Sequence, residues 1–279
     1  MDFSNIYLFS DIDGTLGVAG VGIPARNYDA IRRFVRKGGH FGLCTGRWVT
    51  DITHFVRGLP VNLPCIINNG AAVCELPSGK ILSSVPLPAQ AMNYAREIAA
   101  LDPCIQVIGV NESGYYCLSD RSDEKEVHLI RERFPVISWD TFEGPFLKFL
   151  FSCPSEQSEQ LLSRARGLGH KDVCYTWSGM SFEMIPAGIN KGTGLLSLCA
   201  ARHIPRENTV FIGDSYNDRE MFMTAGFPVC VAGTPKDLAG LCRMQVGECL
   251  SGAVADLIEW LEAHPEQLGA RRLKSWGAD

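Results

Sequence analysis

The chain has 279 residues, 46% hydrophobic and 20% charged, enough for one large domain or two modest ones with buried cores. A net charge of -5 offers no source for the general phosphate attraction that nucleic-acid binders use, so DNA and RNA are not expected as partners. No stretch approaches the ~18 apolar residues of a membrane span, and Met1-Asp2-Phe3-Ser4-Asn5 lacks the basic start of a signal peptide, so a cytoplasmic protein without membrane contact is expected.

The eleven cysteines are odd in number and contain no CxxC pair, which fits neither a disulfide framework nor a zinc cluster; buried, reduced thiols are expected. The six histidines form no spaced pair, which argues against a histidine-bound metal.

In chain order, short apolar runs predict strands buried on both faces at 6–9, 41–44, 65–67, 209–212 and 229–231. Between them, 25–37 carries Ile31, Phe34 and Val35 at helical spacing before Gly38-Gly39, and Val254, Leu257, Ile258 and Leu261 mark a helix near the C-terminus. A hairpin is expected over 71–85, turning at Pro77-Ser78-Gly79-Lys80. From about residue 88 the order changes to helices at 89–100, 123–133 and 156–167 followed by strands at 105–110, 146–151, 173–177 and 182–185, which reads as an α+β insertion. Residues 88–187 hold 9 Lys+Arg against 14 Asp+Glu, whereas the rest is balanced, so a polyanionic substrate is disfavoured there. The alternation outside the insertion predicts a parallel α/β sheet, and 264–279 reads as a polar tail.

The strongest chemical signal is Phe9-Ser10-Asp11-Ile12-Asp13-Gly14-Thr15-Leu16, where a buried strand runs into two carboxylates one residue apart. Ligands of open α/β sheets bind beyond the carboxyl ends of the strands, and two such acids can divide the roles of nucleophile or metal ligand and proton donor. An Asx-type turn closing the strand is the competing structural explanation. A second acidic cluster, Gly213-Asp214-Ser215-Tyr216-Asn217-Asp218, also ends a strand. Ser215 and Asp218 have capping-box spacing, so Asp218 has a structural explanation that Asp214 lacks. Two strand-end acid clusters on one sheet could hold a hard cation such as Mg²⁺. Leu43-Cys44-Thr45-Gly46-Arg47 offers a hydroxyl and a glycine where a phosphate oxygen could sit, and Lys191 could supply a fixed positive charge. No GxxxxGK[ST] loop is present.

Taken in order, these elements resemble the haloacid dehalogenase superfamily, in particular its Cof-like phosphatases of subfamily IIB. Asp11-Ile12-Asp13-Gly14-Thr15 is similar to the first motif, Leu43 to Arg47 to the second, Lys191 within Gly188-Ile189-Asn190-Lys191-Gly192 to the third, and Gly213 to Asp218 to the fourth; Asn68-Asn69-Gly70-Ala71 is similar to a further family element. The resemblance implies a Rossmann-like parallel-sheet core at 1–85 and 188–279 and an α+β cap of the C2 type at 86–187 that closes over the substrate and sets specificity.

It also implies that Asp11 attacks phosphorus to give an aspartyl-phosphate, and that Asp13 protonates the leaving alkoxide and then deprotonates water. Mg²⁺ would be held by Asp11, Asp214 and the backbone carbonyl of Asp13, with Asp218 close by; Thr45 and Lys191 would hold the phosphoryl oxygens. Substrate contacts are expected at Arg47, Asn69, Gly70 and Asn217. Val231-Ala232-Gly233-Thr234-Pro235 departs from the Asn-Ala pair of many relatives, and 17–22 supplies little beyond backbone. The expected protein is thus a Mg²⁺-dependent phosphatase of a small phosphorylated metabolite, with sugar phosphates the leading class, acting as a monomer or small homo-oligomer. A phosphomutase of the same superfamily and a non-catalytic metabolite sensor are the alternatives.

Overall fold

The computed structural model describes residues 2–118, 134–140, 144–152, 155–178 and 181–264. The chain divides into two compact units, Met1–Ser83 with Asn190–Asp279, and Ser84–Ile189. The first begins with β1 (Tyr7–Ser10), α1 (Ala25–Arg36), β2 (His40–Leu43), α2 (Val49–Phe55), β3 (Cys65–Ile67), β4 (Ala72–Glu75) and β5 (Lys80–Ser84). The second contains α3 (Ala91–Ala99), β6 (Gln106–Asn111), β7 (Gly114–Leu118), β8 (Val136–Ile137), β9 (Lys148–Ser152), α4 (Ser155–Gly167), β10 (Val173–Ser178) and β11 (Ser181–Pro186). The chain then returns through α5 (Lys191–Arg202), β12 (Thr209–Gly213), α6 (Arg219–Thr224), β13 (Phe227–Cys230), α7 (Lys236–Ala239), β14 (Met244–Gln245) and α8 (Cys249–Ala263).

Five strands of the first unit form a parallel sheet in the order β14-β13-β12-β1-β2. β1 lies at its interior, in register with both neighbours: Ser10 stands opposite Ile212 on one side and Leu43 on the other. The carboxyl ends of three strands therefore meet at one edge. A parallel bridge from Cys44 to Ile66 brings the end of β3 to the same edge.

The strands are almost wholly buried because helices cover both faces. On one face Phe9 and Phe211 pack with Leu195 and Leu198 of α5 and Phe222 of α6. On the other, Ile31 and Phe34 of α1 and Leu257, Ile258 and Leu261 of α8 are buried. Each such side chain removed from water contributes roughly 1.5–3 kcal/mol. Asn27, fully buried, ties α8 to the loop after β1 by donating to the Leu16 carbonyl and accepting the Ala255 N–H, both at 2.9 Å.

The second unit has a six-stranded sheet ordered β10-β11-β9-β6-β7-β8, antiparallel except where β8 joins β7. Its own core, which includes Phe149, Phe151, Phe182 and Met184, is covered by Ala95 and Ile98 of α3 and Leu161, Leu162 and Ala165 of α4.

The parallel-sheet class is present, and four of the five strands expected in it lie there, each within two residues of its expected ends; the fifth, β3, forms at 65–67 but pairs antiparallel with β4 in a separate sheet ordered β3-β4-β5, because the chain turns back at once through Asn68–Gly70. Several short or irregular elements carried no readable signal, β8 and α7 among them. α2 opens with β-branched Val49 and Thr50, α5 contains Gly192 and Gly194, β14 has two residues, and β7 is recruited by pairing with β6 across a tight turn in which Asn111 Oδ1 accepts the Ser113 N–H at 2.8 Å. The helix expected at 123–133 and nearly all of the expected tail lie outside the described residues. Among the described residues, no helix is long and apolar enough to cross a membrane.

Candidate active site

The ladder of β1 continues one residue past the strand. The Asp11 N–H donates to the Ile212 carbonyl at 2.9 Å, and Ser10 Oγ donates to the Asp11 carbonyl at 2.6 Å, fixing the backbone from which the first carboxylate projects. The chain then turns sharply at Gly14 with φ +81°, and a Cβ there would stand 2.5 Å from Asp214 Oδ2. Only glycine satisfies both the left-handed backbone and this close approach. Thr15 comes next, and its hydroxyl donates to Asp214 Oδ1 at 2.5 Å.

β12 places Asp214 beside this loop. Asp218 does two jobs with two oxygens: Oδ2 accepts the N–H groups of Asp214 (2.9 Å) and Ser215 (3.1 Å), while Oδ1 accepts from Lys191 Nζ at 2.6 Å. The capping explanation is therefore correct for Asp218 but incomplete.

Lys191 is the first residue of α5 and is fully buried. The helix start is fixed by a capping box in which Asn190 Oδ1 accepts the Thr193 N–H (2.9 Å) and Thr193 Oγ1 accepts the Asn190 N–H (3.0 Å). From there the ammonium reaches Asp11 Oδ1 at 2.7 Å as well as Asp218. Asp11, Asp214 and Asp218 each offer an oxygen within 4.8 Å of the others.

Three carboxylates and one ammonium in a buried space carry an excess negative charge when all are ionised. Burial pushes the Asp11 carboxyl up to about 8; Lys191 opposes the rise, while Asp218 and Asp214 add to it. Burial likewise lifts Asp214 to about 6, against the hydrogen bond from Thr15. Burial alone would lower Lys191, but the attraction of Asp11 and Asp218 outweighs it and raises the ammonium's pKa. The fold therefore accommodates the crowded acids by keeping the Asp11 and Asp214 carboxyls easier to protonate than usual.

Asp13 and Arg47 form a separate, more open layer. Arg47 donates from Nε to Asp13 Oδ2 at 2.7 Å and from its terminal nitrogen to Oδ1 at 2.5 Å, a bidentate pair. Thr45, nearly fully buried, donates its N–H to the Ile66 carbonyl at 2.9 Å and accepts the Arg47 N–H at 3.2 Å. Asn69, with φ +53°, is joined to Asn217, whose Nδ2 donates to its Oδ1 at 3.2 Å. Gly70 packs where no side chain fits, since a Cβ would lie 2.1 Å from the Asn190 carbonyl oxygen.

Of the residues expected from sequence, Asp11, Lys191, Asp214 and Asp218 thus come together as one cluster, Asp13 pairs with Arg47, Asn69 pairs with Asn217, and Thr45 lies beneath Arg47. Gly70 has a packing role on this geometry. Two participants carry no sequence signal for what they do: Thr15, whose hydroxyl reaches an acid 199 positions away, and Phe55, whose ring lies against Arg47.

Comparison with known proteins agrees across nearly the whole chain. A family model for haloacid dehalogenase-like hydrolases matches residues 8–258. The chain is 26% identical over 273 residues to the uncharacterized hydrolase C215.10 of Schizosaccharomyces pombe, spanning 90% of this chain and 89% of the relative. It is 25% identical over 264 residues to the HMP-PP phosphatase of Yersinia pestis, spanning 91% and 94%. Among solved structures, the phosphatase BT1666 from Bacteroides thetaiotaomicron superposes with a TM-score of 0.74 at 21% identity, covering 94% of this chain and 96% of that one.

Proposed function

The chain belongs to the haloacid dehalogenase-like hydrolases and is a phosphomonoesterase of that family, and we propose that it hydrolyses a small phosphorylated metabolite through an aspartyl-phosphate on Asp11, with Mg²⁺ bound beside it. Sugar phosphates are the proposed substrate class, in keeping with the acidic balance of residues 88–187, which disfavours polyanions. A cytoplasmic setting belongs to the same reading: Cys44, Cys65, Cys74, Cys199, Cys230 and Cys249 are buried thiols, as in a reducing compartment. The observation that carries the proposal is Lys191, buried between Asp11 and Asp218 with Asp214 in reach.

Hard carboxylate oxygens are the donors Mg²⁺ prefers, and the cluster's excess negative charge is what a divalent cation would neutralise. Asp11, Asp214 and the Asp13 carbonyl would hold the ion, with Asp218 beside them; once bound, it would lower the charge repulsion between the nucleophile and the phosphoryl group.

The protein's own groups then account for the reaction. An Asp11 carboxylate oxygen attacks phosphorus as the bond to the leaving oxygen breaks, and Asp13 gives its proton to that oxygen. Asp13, now a carboxylate, takes a proton from water as the water oxygen attacks phosphorus, releasing phosphate and restoring Asp11. The Thr45 hydroxyl and Lys191 ammonium hold the phosphoryl oxygens. Positioning and charge neutralisation supply most of the rate in such transfers.

The test is phosphate release by the purified protein, with and without Mg²⁺, from a panel of sugar phosphates, nucleotides and cofactor phosphates. Mg²⁺-dependent release, greatest from sugar phosphates, is expected. Isomerised substrate without free phosphate would instead make the protein a phosphotransferase, and binding without turnover would make it a sensor.

A further inference from the structure

Phe55, the last residue of α2, lies against the face of Arg47, with the guanidinium carbon 4.3 Å from the ring centroid. The same guanidinium grips both oxygens of Asp13. A planar fork docked on a carboxylate and stacked on a ring is fixed in position and in plane. The two ends differ in how they are held: the Arg47 side chain is 18% exposed, the Asp13 side chain 52%. Asp13 has little packing of its own, so its carboxylate takes its place from Arg47.

Arg47 is itself anchored along its backbone, donating its N–H to Thr45 Oγ1 at 3.2 Å and accepting the Asn68 N–H at 3.1 Å. Asp51, one helical turn before Phe55 on α2, also attracts the guanidinium. The ring of Phe55 covers one face of the fork while both its hydrogen bonds run to Asp13.

The geometry points to Phe55 as a positioning residue for proton transfer: its ring holds Arg47, and Arg47 holds the Asp13 carboxylate at the mouth of the buried cluster. This rests on the reading of Asp13 as the acid. When Asp13 passes its proton to the leaving oxygen it becomes a carboxylate, the form that the fork grips with both hydrogen bonds. A loosened fork then affects substrates in proportion to their need for that proton.

The experiment compares Phe55→Leu with Phe55→Tyr. Leucine keeps an apolar side chain without a π face, and tyrosine restores the face. In Phe55→Leu, kcat/KM for an alkyl phosphate should fall about tenfold and that for p-nitrophenyl phosphate no more than about twofold, because the latter leaves without a proton. Phe55→Tyr should recover the alkyl rate.

A second readout needs no turnover. The Arg47 Nε–H resonance, protected by its bond to Asp13 in the parent, should be lost in Phe55→Leu and retained in Phe55→Tyr. Equal losses on both substrates, or an unchanged Nε–H resonance in Phe55→Leu, would overturn the inference. A parent inactive on every phosphate would count against the phosphatase reading instead, leaving the resonance to decide the positioning role by itself.

Discussion

Lys191 Nζ lies 2.7 Å from Asp11 Oδ1 across 180 positions of sequence, and neither side chain is more than 6% exposed. The ammonium neutralises part of a charge that the fold has taken out of water. Removing it in Lys191→Met leaves Asp11 and Asp218 facing each other in a buried space, which should cost about 3 to 5 kcal/mol of stability in the metal-free protein. Turnover should fall about 100-fold or more, since a preorganised charge on the phosphoryl oxygens is lost. Thermal unfolding and phosphate release check the two effects separately.

Proton uptake follows from the same crowding. Burial holds Asp11 near 8 and Asp214 near 6, both above the ordinary value of 3.8, so the metal-free native protein keeps protons that the unfolded chain has released. These groups therefore cost stability increasingly as pH rises from about 4 to about 8. A cation must displace the same protons. Mg²⁺ affinity should rise from pH 6 to pH 8, with proton release on binding at pH 7 seen as a dependence of the calorimetric heat on buffer ionisation enthalpy. A pH-independent affinity without proton release would contradict the assignment.

Thr15 orients a proposed ligand through its 2.5 Å hydrogen bond to Asp214. Thr15→Val keeps the shape and deletes the donor, so Mg²⁺ affinity should weaken about tenfold, the lower end for outer contacts of this kind. Thr15→Ser should restore it. The change is read in a Mg²⁺ titration of thermal stability.

How much of this was visible beforehand depends on the range of the interaction. The strand ending in Asp11 declares itself locally, as an apolar run that stops at two acids and a glycine, and so does the run before Asp214. The parallel sheet follows from several such runs with helices between them. What the acids do was not local. Lys191 alone in a sequence is an ordinary surface residue, and its burial exists only because β1, β12 and α5 converge. Thr15 is legible as part of the Asp11–Thr15 motif, but neither its hydroxyl bond to Asp214 nor the contact of Phe55 with Arg47 is, since a hydroxyl in a turn and a ring at a helix end have local uses as well. The resemblance to a family supplied roles for Asp13 and Arg47 but not their mutual pairing, which depends on β1 and β2 ending side by side.

Two glycines with nearly equal backbone angles make a controlled pair. Gly14 (φ +81°) has Asp214 2.5 Å from where a Cβ would lie, whereas Gly20 (φ +78°) has nothing within 4 Å. Gly20→Ala should cost only the backbone strain, about 1 to 2 kcal/mol. Gly14→Ala should cost more and also weaken Mg²⁺ binding, because Asp214 has to move. Unfolding curves with and without Mg²⁺ would show both differences.

The central claim is that Asp11 carries the phosphoryl group. Rapid acid quenching during the first turnover, followed by mass spectrometry of the peptide containing Asp11, tests it most directly. The account predicts a phosphoryl adduct on Asp11 that forms and decays within one turnover, with neither adduct nor phosphate release in Asp11→Asn. Turnover by Asp11→Asn at the parent rate would contradict it.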